Sequence, residues 1–153
     1  MKKMIILKEK IPKDILEKYA ILVLTLGHFE WVLQEFLIFL ILETNFDQNK
    51  KNHVVLANYI CELSFDRKIK LSEKFGILTK EMEEKISVIK KRRNIFIHGI
   101  GKNKNELFLE IIHKKQRENL NAENLSSFLE FIEKTGGELV NYFESRGFKI
   151  SQD

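Results

Sequence analysis

The sequence predicts an all-α fold, an up-and-down bundle of four to five helices with a small β-strand or hairpin insertion near residues 106–118. Three observations carry that prediction. The 153-residue chain uses proline once and glycine seven times, too sparingly for a turn-rich β architecture. Apolar residues recur at helical spacing along most of the chain, in stretches closed by glycines or polar loops. One short run, Leu107 to His113, is dense in apolar and β-branched residues and reads as a strand.

At this length a single domain is expected, residues 1–153, with a folded core at about 12–147. Hydrophobic residues make up 44% and charged residues 31%, the balance of a soluble globular chain. Residues 1–11 read as an extended, loosely attached lead-in. Pro12 then suits the first turn of a helix, with Asp14 and Glu17 at its positive end. That helix should run to about Glu43, with Gly27 as a bend and Phe36 to Leu42 enclosed by neighbours.

The stretch from Ala20 to Leu42 is the membrane candidate, but Glu30 and Glu35 in mid-span are costly in lipid. It is expected to be a mostly buried core helix, with no membrane partner. Lys8-Glu9-Lys10 interrupts the short apolar run before it, so no secretory signal is expected. The single cysteine, Cys61, allows no internal disulfide, fits a reducing cytoplasm and is expected to be a small buried apolar residue.

Thr44 to Asn52 reads as a loop. A second helix spans His53 to Phe75, broken at Ser64-Phe65-Asp66 and ended by Gly76. Thr79 caps a third, which carries Glu81, Glu83 and Glu84 in its first turn and closes at His98-Gly99. Gly99 to Asn105 reads as a polar loop, and the strand after it pairs with a partner near Lys114 to Glu118. Asn121 or Asn124 caps the last helix, whose buried stripe is expected to be Leu125, Phe128, Leu129, Ile132, Leu139, Val140 and Phe143. Gly136-Gly137 should weaken or bend it, and Gly147 should stop it before a short tail.

Charge is unevenly spread. Between Asp66 and Lys104 there are twelve Lys or Arg against five Asp or Glu, a net of +7. The whole chain carries +4, so the remainder is at −3. A basic middle third suits a phosphate backbone as partner. The charge peaks in Lys90-Lys91-Arg92-Arg93-Asn94-Ile95-Phe96-Ile97-His98-Gly99. Such a run also complements a helix dipole, and the glycine is an ordinary stop signal.

Its chemistry goes further. RNA cleavage without a metal needs a cation on the scissile phosphate and a group that moves protons near neutral pH; arginine and histidine suit these tasks. Arg93 and His98 are five residues apart, which separates them by roughly 140° around a straight helix. They converge if the helix unwinds at Gly99 or if two copies meet across a dimer axis. The second arrangement also brings two histidines together.

Arg93-Asn94-Ile95-Phe96-Ile97-His98 resembles the R-x4-6-H signature of HEPN domains, helical domains of prokaryotic toxins, antiphage proteins and CRISPR-associated ribonucleases. Asn94 matches the polar residue that commonly follows the arginine. Phe29-Glu30-Trp31-Val32-Leu33 is similar to an apolar-Glu-x-x-Leu stretch on an early helix of several HEPN groups. The resemblance implies a metal-independent endoribonuclease, acting as a toxin or an abortive-infection effector. It implies a homodimer with the third helices facing, an RNA substrate, a cognate antitoxin protein and no cofactor.

In that reading Arg93, its geometry fixed by Asn94, holds the phosphate. One His98 takes the 2′-OH proton, and the partner's His98 protonates the leaving oxygen. Glu30 orients Arg93 or His98, while Lys90, Lys91 and Arg92 steer RNA. Ile100 stands where some HEPN toxins carry a tyrosine modified by a nucleotidyltransferase antitoxin, so control by that route is not expected.

The alternative is a non-catalytic HEPN-like module for dimerisation or for binding RNA or nucleotide. No metal site is expected, because His28, His53, His98 and His113 do not pair at helical spacing and Cys61 has no nearby ligand partner. No phosphate-binding glycine loop, nucleophile elbow or clear helix-turn-helix pattern is present. His28 reads as a core or interface residue, and His53 and His113 have no role.

Overall fold

The computed structural model describes residues 11–44, 50–105 and 108–148. Within them lie helices α1 (Lys13–Thr44), α2 (Lys50–Glu62), α3 (Phe65–Lys74), α4 (Lys80–His98) and α5 (Ala122–Ser145). Strands β1 (Ile100–Asn105), β2 (Phe108–His113) and β3 (Gln116–Leu120) fall between α4 and α5. The protein is an all-α bundle with a small β insertion. The expected lead-in and tail lie almost wholly outside the described residues; the loop expected at Thr44 to Asn52 is shorter, since Thr44 ends α1 and Lys50 to Asn52 already belong to α2.

α1 is the spine. Leu22, Leu26, Phe29, Leu33, Phe36, Leu37 and Leu40 are buried on one face, at the spacing of a helical stripe. They pack chiefly on α5, whose Leu125, Phe128, Ile132, Leu139 and Phe143 are buried in turn. Phe36 stacks on Phe143 at the far end, with Phe148 edge-on to both. A fully buried side chain of this size contributes about 1.5–3 kcal/mol relative to exposure.

The outer face of α1 departs from expectation. Ile21, Leu24 and Trp31 are exposed, and Leu24 is 73% exposed. The helix is long and apolar enough to cross a membrane by length and composition, yet only 39% of its apolar window is buried. It is not the mostly buried helix that its composition predicts, because its neighbours cover one side. The helix runs unbroken through Gly27.

Local signals set the other boundaries. The Ser64 hydroxyl accepts from the Arg67 amide and starts α3, so the break falls at the predicted place. α3 ends in a Schellman turn: the Gly76 amide donates to Glu73, the Ile77 amide donates to Ser72, and Gly76 has φ +59°. Thr79 caps α4 by accepting from the Met82 amide. Asn121 caps α5, accepting from the Asn124 amide at 2.7 Å. Gly136-Gly137 does not interrupt α5, which is continuous to Ser145. Lys85 ties α4 to α5 through Glu138; that contact and Glu81 hold its pKa above 10.5.

The insertion is larger than predicted. β1, β2 and β3 form an antiparallel meander in that order. Ile100 to Asn105, expected as loop, is an edge strand paired to β2 from Ile100↔Ile112 onward. Its Gly-Lys-Asn-Lys-Asn sequence lacks an alternating apolar face, and edge strands rich in lysine give no such signal. The partner of β2 begins two residues later than expected, at Gln116, after a tight turn at Lys114-Lys115.

Candidate functional site at the end of α4

α4 stays helical through His98, and the Gly99 amide donates to the Ile95 carbonyl at 2.8 Å. The first route to bringing Arg93 and His98 together, unwinding at Gly99, is therefore closed. The two side chains leave the helix toward different neighbours. Arg93 faces α1 and α3, whereas His98 is exposed beside the end of β2.

Arg93 sits in a charged cluster. Its Nη2 lies 3.4 Å from Glu30 Oε2, and its Nη1 donates to Asn94 Oδ1 at 3.4 Å. The guanidinium carbon is 5.0 Å from the Phe65 ring centroid. The other oxygen of Glu30 accepts from Lys68 Nζ at 3.1 Å. Glu30 thus faces two cations, and the group keeps a net positive charge. The expected neighbourhood of Glu30, Arg93 and Asn94 is present. Lys68, 5% exposed at its side chain, escaped the sequence reading because lysine is ordinarily a surface residue.

Arg92 differs from its neighbour. Its Nε and Nη2 donate to the Glu118 carboxylate at 2.7 and 3.3 Å, and Nη2 also donates to Asn124 at 2.8 Å. Its guanidinium carbon lies 4.1 Å from the Phe128 ring centroid. These contacts join α4 to β3 and α5, so the expected place of Arg92 on an RNA-contacting surface is corrected to an internal tie. Lys90 lies 3.8 Å from Asp66, and Lys91 is exposed and pairs with no described residue.

Both polar contacts of Arg93, at 3.4 Å, exceed the roughly 2.7–2.9 Å of a tight charge-assisted bond. Arg92 is held tightly and Arg93 loosely. The second can turn its donors toward an incoming anion at less cost.

Sequence reasoning also missed Tyr19. Its hydroxyl donates to the Phe96 carbonyl at 2.5 Å, satisfying an acceptor of the last helical turn and holding the motif's end against α1. Burial raises its pKa above the ordinary 10.0. The fold thus favours the protonated phenol, a contribution complete below pH 10.0 and lost as pH rises through the folded-state pKa. Tyr19→Phe is expected to cost about 1 kcal/mol at neutral pH. It should also remove that part of the alkaline decline, which urea unfolding at neutral pH and above pH 10.0 would check.

Other expectations are corrected. Cys61 is exposed rather than buried. His28 is exposed and stacks on Trp31 at 5.6 Å rather than sitting in the core. The His53 side chain lies outside the described residues. A polar cleft of about 550 Å³ beside Glu118 and Asn124, and an apolar one of about 270 Å³ between α1 and α5, contain neither Arg93 nor His98.

No protein-family model, curated protein or solved structure matches the chain.

Proposed function

We propose that the protein is a metal-independent endoribonuclease of HEPN type, active as a dimer and serving as a toxin or antiphage effector restrained by a partner protein. The observation that supports this best is the contrast within the basic run: Arg93 is loosely held beside Asn94, and His98 is exposed one turn beyond. The two leave α4 in different directions, so a common site takes Arg93 from one protomer and His98 from the other.

The reaction is transesterification. His98 accepts the proton of the 2′-OH, and the 2′-oxygen attacks the adjacent phosphorus in line. Arg93, oriented by Glu30 and Asn94, stabilises the negative charge that grows on the phosphate oxygens. A second imidazole protonates the departing 5′-oxygen. The products are a 2′,3′-cyclic phosphate and a 5′-hydroxyl. Lys91, exposed on α4, and the charge around it attract RNA without reading its sequence.

One observation favours a second reading. Arg93 is only 22% exposed and lies against Phe65, as a packing residue would. On that reading the domain dimerises or binds RNA or nucleotide without cutting.

Incubating the protein with a mixed RNA in EDTA, beside Arg93→Ala and His98→Ala, separates the two. The ribonuclease reading expects cyclic-phosphate ends from the wild type alone. RNA retention without cleavage favours the binding module, and equal cleavage by all three proteins rejects the catalytic assignment.

A further inference from the structure

His113 lies outside the motif, at the end of β2, yet the fold brings it to His98. Their ring centroids are 6.1 Å apart, with planes inclined by 47°. His98 is exposed and His113 half-buried. At that separation the rings do not hydrogen-bond to each other, so the nitrogens of both remain open to a third group at the exposed edge of the pair. The placement follows from the sheet. Ile111 is buried, and His113, two residues on, shares its face of β2 and is carried onto the end of α4.

The surroundings are cationic. Lys114, a non-glycine residue at φ +56°, and Lys115 form the exposed turn directly after His113. Lys91, also exposed, is two helical turns before His98, within about 20° of it around the axis. A pair of imidazoles bordered by lysines suits an anion that must gain one proton and lose another.

We propose that His98 and His113 of one chain form the proton-transfer pair of the site. This rests on the ribonuclease reading and replaces the partner subunit's His98 as the acid. Neutral His98 takes the proton from the 2′-OH as the 2′-oxygen–phosphorus bond forms. Protonated His113 gives its proton to the 5′-oxygen as the phosphorus–oxygen bond breaks. One proton is gained and one released, and exchange with water restores the starting states. Each ring nitrogen must come within about 3 Å of its oxygen, with the phosphate seated across the exposed edge of the pair.

The test uses one short RNA made in two forms, natural and with sulfur in place of the bridging 5′-oxygen at the scissile link. A thiolate leaves without being protonated. His113→Ala is expected to lower cleavage of the natural RNA by about 10²–10⁴-fold and to recover close to the wild-type rate on the sulfur form. His98→Ala should recover on neither. His113→Gln, with a melting curve matching wild type, should repeat the pattern and exclude misfolding.

His113 variants that cleave at the wild-type rate, while Arg93→Ala and His98→Ala do not, would overturn the pair and leave the ribonuclease reading standing. Equal loss on both RNAs would also overturn it, because His113 would then hold shape rather than deliver a proton. Wild type indistinguishable from Arg93→Ala and His98→Ala would remove the ribonuclease reading and this inference together.

Discussion

Glu30→Ala is expected to destabilise the protein by about 3 kcal/mol, the cost of leaving a buried cation without its counter-ion. The cation is Lys68, whose side chain is 5% exposed and whose bond to Glu30 is 3.1 Å. Glu30 itself is 22% exposed, so water offsets part of the loss and holds the figure to the lower end of the range for buried pairs. For a chain of this size the melting temperature should fall by roughly 6–12 °C. Removing the charge as well, in Glu30→Ala with Lys68→Met, should recover part of that loss, because no ion is then stranded. A double-mutant cycle by urea unfolding measures the coupling. A Glu30→Ala protein as stable as wild type would mean that Lys68 reaches solvent and that Glu30 organises nothing.

Arg92→Ala and Arg93→Ala should fail in opposite ways. Arg92 joins Glu118, Asn124 and the face of Phe128, so its loss should cost about 2–3 kcal/mol through partners left unpaired. Any fall in cleavage should then track the unfolded fraction. The polar contacts of Arg93 are both at 3.4 Å, and its removal should cost about 1 kcal/mol or less while lowering cleavage by about 10²–10³-fold. Thermal melts and initial rates on the two variants give the comparison. Matching losses of stability and rate in both would assign Arg93 to packing.

The helical outline was legible because its signals are local. Thr79, Ser64, Asn121 and Gly76 act on amides and carbonyls within a few residues of themselves. Other features depend on partners distant in sequence. β1 has a polar strand sequence and exists by pairing with β2. Lys68 is buried because Glu30, thirty-eight residues away, waits for it. Arg92 and Arg93 are neighbours in one basic run, and only the packing of β3 and α5 on one side and of α1 and α3 on the other separates their roles.

The candidate site was half legible. Arg93, Asn94 and His98 are written into one short stretch, and Glu30 follows from a carboxylate in an apolar helix that needs a cation nearby. Tyr19 and His113 were not visible. Each reaches α4 from another element, and neither stands in a pattern that marks its target.

The central claim is that Arg93 and His98 act together from different protomers. Refolding the inactive Arg93→Ala and His98→Ala proteins together tests it most directly. Half of the dimers formed at random are mixed, and each mixed dimer regains one intact composite site of two, so about a quarter of the wild-type cleavage should return. A mixture as inactive as its components, under conditions where the wild type cleaves, would contradict the claim.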